Sequence, residues 1–139
     1  MKISSNAVCP CKSGRKYKRC CLPLHRGASP ATPEALMRSR YAAYALNNPR
    51  YIIKTTHPVS SHRQTDIGAW HRDLEQFSET THFTNLEILS TEEDTTSGKA
   101  WVTFRATLFQ DKTDRSFTEK SLFEQVDGQW KYVSGEIEN

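Results

Sequence analysis

Four cysteines fall within thirteen residues, in the stretch CPCKSGRKYKRCC from Cys9 to Cys21, and the 118 residues that follow contain none. The spacing is C-x-C, eight residues, then C-C. Zinc takes four soft or borderline ligands in a tetrahedron, and four thiolates satisfy it. Two close pairs separated by a loop can approach one ion from two sides, and Ser13-Gly14 gives that loop a turn. Four thiolates around Zn²⁺ carry a formal charge of about −2. Lys12, Arg15, Lys16, Lys18 and Arg19 lie between the pairs; they offset that charge and favour ionised thiols. A bound metal also supplies ordering energy that a head of this size cannot draw from a core. His25, four residues after Cys21, is an alternative fourth ligand.

Disulfides fit the spacing less well. Bridges within Cys9–Cys11 or Cys20–Cys21 are strained, because a relaxed bridge needs separated Cα atoms and a specific dihedral. Only cross-pairs relax, so redox sensing stands as an alternative to metal binding. The C-x-x-C spacing of thioredoxin-like sites is missing.

The same stretch resembles the SEC-C motif, the zinc module named for the C-terminus of the SecA translocation ATPase. Cys9, Cys11, Cys20 and Cys21 match its ligands, and Ser13, Gly14, Lys16 and Tyr17 match its loop. Lys12 stands where the motif usually has glycine. The resemblance implies Zn²⁺ as cofactor and a small knob that recognises a protein partner.

Charge divides the chain. Residues 1–27 hold seven Lys or Arg (Lys2, Lys12, Arg15, Lys16, Lys18, Arg19, Arg26) and no acid, leaving twelve Lys and Arg against sixteen acids in the remainder. A basic head on an acidic body suggests two units, 1–27 and 28–139, with different partners. The head's charge allows weak, salt-sensitive contact with nucleic acid at most. Mean hydropathy is −0.70, and no apolar run approaches the ~18 residues of a membrane helix. The head has no apolar signal-peptide core. The expectation is a cytoplasmic protein without a membrane span, whose clustered thiols stay reduced.

Glycine and proline mark a linker over 25–33, HRGASPATP. The next segment predicts a helix capped by Thr32, with Pro33 at its first position and Leu36, Met37, Tyr41, Tyr44 and Ala45 on one face. Asn47-Asn48-Pro49 ends it. RYIIKTTHP predicts a short second helix. A third, capped by Thr65 or Asp66, aligns Ile67, Trp70, Leu74 and Phe77. After Ser78 the period becomes two, predicting strands near 82–92, 99–110, 115–126 and 129–137. Asp127-Gly128 suits a tight hairpin turn. Ala100, Val102, Phe104, Ala106 and Leu108 share one face of the second strand; Trp101, Thr103, Arg105, Thr107 and Phe109 take the other.

Helices followed by an antiparallel meander make an α+β fold, with helices packed on a curved sheet that leaves a cone open at one end. TPEALMRSRYAAY, YIIKTTHP and GQWKYVSGEI resemble the YchJ-like family of uncharacterised bacterial proteins. That resemblance implies a zinc-binding SEC-C module joined to an NTF2-like, or cystatin-like, domain. It brings no established reaction.

Arg38, Arg40, Tyr41, His57, Trp70, Arg105 and Glu119 are the candidate lining of the cone. An arginine there can hold a carboxylate or phosphate, and His57 or Glu119 can serve as a base. Each has a plainer reading. Arg38 and Arg40 stand about 200° apart on a helix and cannot share a face, so one of them suits a structural salt bridge. Tyr41, Tyr44 and Trp70 suit the core, and His57 a turn. Glu119 and Glu124 face opposite sides of a strand. His62, His71 and His82 lack metal spacing, and no nucleophile triad or phosphate loop is present. No catalytic residue is assigned. The sequence favours a zinc protein that binds a protein partner or a small molecule and can form a homodimer. An isomerase-, dehydratase- or hydrolase-like enzyme in the cone is the alternative.

Overall fold

The computed structural model describes residues 3–138; Lys2 of the basic head lies outside them. A short antiparallel bridge between Val8 and Lys16 opens the chain. A 3-10 turn over Tyr17–Arg19 and helix α1, Leu22–His25, follow. The segment read as a linker is shorter than 25–33, since His25 closes α1 and Pro33 opens the next helix. Helices α2 (Pro33–Ala45), α3 (Pro49–Lys54) and α4 (Ile67–Glu79) precede strands β1 (His82–Asp94), β2 (Lys99–Gln110), β3 (Thr113–Asp114), β4 (Phe117–Val126) and β5 (Gln129–Glu138).

Each long helix starts where its sequence offers an acceptor. Thr32 Oγ1 accepts from the Ala35 amide at 3.0 Å, and Asp66 Oδ1 accepts from the Ala69 amide at 3.0 Å. Such caps satisfy amides that have no partner within the helix. Asn48 caps α3 through the Tyr51 amide. Asn47, at φ 55°, turns the chain out of α2 in the left-handed region that asparagine tolerates.

The sheet is antiparallel in the order β1-β2-β4-β5, with β3 paired to β2. Asp127 and Gly128, at φ 52° and 78°, form the hairpin turn expected of them. Strand β4 begins at Phe117 rather than 115. The Asp114 carboxylate accepts from the Ser116 amide, and Ser116 Oγ accepts from the Leu108 amide; these local bonds replace ladder pairing. Register shifts near Thr84 and Leu89 in β1 and Val133 in β5 bend the sheet. Its edge is joined to the end of α3, where Thr55 and His57 exchange backbone bonds with Tyr132.

Ala100, Val102, Phe104, Ala106 and Leu108 are all buried, on the concave face, with Leu36, Met37, Tyr41 and Phe123. Each large apolar side chain enclosed there contributes about 1.5–3 kcal/mol. Two apolar patterns differ from expectation. Ser39, Arg40, Ala42 and Ala43 of α2 are buried as well as Leu36, Met37 and Tyr41, because the head packs on Ala42 and α3 covers Ser39, Arg40 and Ala43 on the sides that an amphipathic helix would leave to water. Ile67 is exposed; it occupies the first position of α4, before the helix reaches the cone.

Candidate metal centre and pocket

The head is a folded loop. Cys9 N donates to Arg15 O, Lys12 N to Cys9 O and Tyr17 N to Ala7 O. This brings Cys9 and Cys11 round to face Cys20, at the end of the 3-10 turn, and Cys21, at the start of α1. The four Sγ atoms all lie within 4.8 Å of one another. Cys11 Sγ is 3.5 Å from Cys20 Sγ, which is 3.9 Å from Cys21 Sγ. Sulfurs about 2.3 Å from a common tetrahedral ion stand about 3.8 Å apart, so the donor set fits a metal ion. Cys9, Cys11 and Cys21 are buried and Cys20 is half-buried.

The crowded thiols shift one another's ionisation. Hydrogen bonds from Cys21 and Cys9 hold the Cys11 thiol well below its ordinary value. The bond to Cys11 in turn pushes Cys9 up, to about 11, and Cys21 is pushed up for the same reason and by burial. A bound metal cation would supply the charge that lets all four ionise together.

His25 is not among the grouped sulfurs. Its Nε2–H donates to the Ser39 carbonyl at 2.8 Å and its Nδ1 accepts from the Tyr17 hydroxyl at 2.6 Å. Burial holds His25 below its ordinary value, so the ring stays neutral with both nitrogens engaged, leaving none for a metal. Arg38 also belongs to this side. Its Nε donates to Glu34 at 3.1 Å and its Nη1 to the Cys11 carbonyl at 3.0 Å.

Helix α2 separates the head from a cavity of about 400 Å³ in the cone. Arg40, Tyr41, Trp70 and Glu119 of the expected lining are brought together there. Arg38, His57 and Arg105 are not. Arg38 faces the cysteine loop, on the other side of α2. His57 lies in a turn, where its Nδ1 accepts from the Val59 amide at 3.1 Å; it is no base for chemistry in the cone. Arg105 is exposed on the convex face, bonded to Thr118. Its strand parity, opposite to Phe104 and Ala106, puts it there.

Residues not singled out complete the cavity. Tyr132 and Ser121 both donate to Glu119 Oε2, at 3.4 and 2.5 Å. Burial and the Glu119 carboxylate push the Tyr132 hydroxyl up, keeping its proton in place. A methyl group on Gly135 would overlap the Glu119 carboxylate. Ser121 lies two residues from Glu119 on the same strand face, and a glycine inside a strand marks close approach; both signals were present in the sequence. Tyr132 alternates with Trp130 as an inward residue of β5, but its meeting with Glu119 depends on how β5 pairs with β4.

Among the described residues no helix is long and apolar enough to cross a membrane. The model for "YchJ, middle NTF2-like domain" matches residues 32–135, and the SEC-C motif, a metal-binding motif, matches residues 6–23. A UPF0225 protein of Haemophilus influenzae is 40% identical over 126 residues, spanning 90% of this chain and 75% of that one. One from Deinococcus radiodurans is 39% identical, over 90% of this chain and 85% of its own. A solution structure of a SEC-C motif containing protein from Rhodopseudomonas palustris superposes with a TM-score of 0.77 at 36% identity. It covers 96% of this chain and 99% of that one. The chain belongs to the YchJ-like UPF0225 family, with an NTF2-like fold and an N-terminal SEC-C motif.

Proposed function

We propose that Cys9, Cys11, Cys20 and Cys21 hold one zinc ion, and that the ion fixes the head as a cationic knob for an acidic surface on a protein partner. The mutual approach of the four sulfurs, within 4.8 Å, carries the metal part. Four thiolates favour zinc over oxygen-preferring magnesium or calcium. They fill every position of a tetrahedron, which is the mark of a structural site; a catalytic one keeps a position open. The ion supplies charge and cross-linking there, and the chain supplies the rest.

The partner reading rests on charge. Lys12, Arg15, Lys16, Lys18, Arg19 and Arg26 are all exposed, whereas the Cys9, Cys11 and Cys21 thiols behind them are buried and Cys20 is half-buried. The cations therefore project from an ordered surface, which steers association with an acidic face.

Metal analysis of the purified chain tests the first part: one zinc per chain is expected, lost in Cys9→Ser and Cys20→Ser. A stoichiometrically metal-free native protein overturns it. For the second, the zinc-loaded chain is titrated with an acidic peptide and with a single-stranded oligonucleotide of equal charge. Tighter peptide binding, lost on reversing Lys16 and Lys18 to Glu, supports the reading; tighter oligonucleotide binding overturns it.

A further inference from the structure

We propose that the cone binds a small organic carboxylate with an apolar or aromatic body, anchored by Arg40. This inference is independent of the metal, because the cavity and the cysteines lie on opposite sides of α2.

Arg40 is 6% exposed. Its Nη1 donates to the Ile52 carbonyl at 3.2 Å, Thr55 Oγ1 at 2.8 Å and Thr56 Oγ1 at 3.2 Å. The Thr55 and Thr56 hydroxyls donate in turn to α3 carbonyls, so their lone pairs are what faces Arg40. Its guanidinium carbon lies 4.5 Å from the centre of the Tyr132 ring. These contacts orient the group without neutralising it. Among the described residues none of the ion pairs includes Arg40, and its Nε and Nη2 have no hydrogen-bond partner. A guanidinium that is largely buried, with its free nitrogens open only to the cavity, favours a paired anion there. Its flat fork matches a carboxylate.

The rest of the cavity describes the ligand's body. Met37, Tyr41, Trp70, Leu74, Phe77 and Phe104 give largely apolar walls. A volume of about 400 Å³ is near the lower end for small-molecule sites. Two carboxylates also line it, and neither cancels Arg40. Asp73 is exposed and accepts from Gln64. Glu119 is engaged by Ser121 and Tyr132; Tyr132 gives its face to Arg40 and its hydroxyl to Glu119. The cavity thus has a cationic anchor and, apart from it, an acceptor suited to a hydroxyl or amine on the ligand.

The test uses the full, zinc-loaded chain and the pair 4-hydroxyphenylacetate and 4-hydroxyphenylacetamide, followed by amide NMR shifts up to about 10 mM, well above weak millimolar affinity. The two probes differ in charge at one end only. Saturable shifts at cavity residues are expected, with the acid binding about tenfold or more tighter than the amide, the scale of a charge-assisted pair. Arg40→Met should erase the preference and Arg40→Lys should keep part of it. If Arg40→Met does not fold, the acid–amide comparison in the unaltered chain and the Arg40→Lys result decide. Equal binding of acid and amide, no shift at the cavity, acid-induced shifts confined to the basic head, or a preference that survives Arg40→Met each overturn the proposal.

Discussion

His25 in α1 donates its Nε2–H to the Ser39 carbonyl in α2, 2.8 Å away. The same ring meets the Tyr51 ring edge-on, with centroids 4.8 Å apart, and accepts from Tyr17. One imidazole thus joins the cysteine loop, α2 and α3. With Arg38, which reaches the Cys11 carbonyl, it seats the head on the body.

Replacing His25 by Ala leaves the buried Tyr17 hydroxyl without its partner and opens a void. The expected cost is about 2–4 kcal/mol. Hydrogen exchange locates it: amides of residues 7–21 should lose more protection than those of β2. Equal loss in both would show that the histidine serves global stability rather than seating of the head.

Lys12 adopts φ 67°, in a region that costs most L-residues about 1–2 kcal/mol. Glycine removes that strain at some cost in chain entropy, so Lys12→Gly should stabilise the metal-loaded head by about 0.5–1 kcal/mol. Lys12→Ala removes the charge but keeps the strain. A competition titration against a chromophoric chelator should rank glycine above lysine and alanine in metal affinity. Alanine equal to glycine would show that charge, not backbone strain, matters at this turn.

Gly135→Ala pushes a methyl group into the Glu119 carboxylate. Overpacking of this kind costs about 1–3 kcal/mol. Because Glu119 is held by Ser121 and Tyr132, the strain should spread to Ser121 and Tyr132. Thermal unfolding should show the loss, and Glu119→Gly in the same chain should recover part of it, since the contacting atoms are then gone. A destabilisation unaffected by Glu119→Gly would place its cause in the strand backbone.

The cysteine set could be read directly because its four residues are neighbours in sequence as well as in space. The fold was legible for a related reason. Helical and period-two patterns are local, and β2 carries its alternation through Ala100, Val102, Phe104, Ala106 and Leu108, all of which are buried. The cone lining was legible only in part. Helical spacing puts Arg38 and Arg40 on different faces of α2, but which of the two faces the cone is decided by the head, whose Cys11 carbonyl takes Arg38. Arg105 was excluded by its own strand parity, a signal outweighed by its charge. Tyr132 shares its strand face with Trp130 and pairs with Phe123, but its approach to Glu119 depends on the pairing of β4 with β5, which alternation along one strand does not give.

Metal removal separates the two halves of the chain. Ala42 and Leu46 of the body pack with the cysteines and Tyr17, whereas the main core of Leu36, Val102, Phe104 and Phe123 draws nothing from the head. Stripping the chain with a strong chelator at neutral pH should therefore collapse the NMR dispersion of residues 7–21 and shift Ala42 and Leu46, while the β2 and β4 amides keep their positions. Zinc returned to the sample should restore the head. If zinc binds the folded loop and not the unfolded chain, each tenfold excess of free zinc over its dissociation constant should add about 1.4 kcal/mol to head stability. A sheet that unfolds with the head on chelation would make the metal a requirement for the whole fold, against the separation of the two cores.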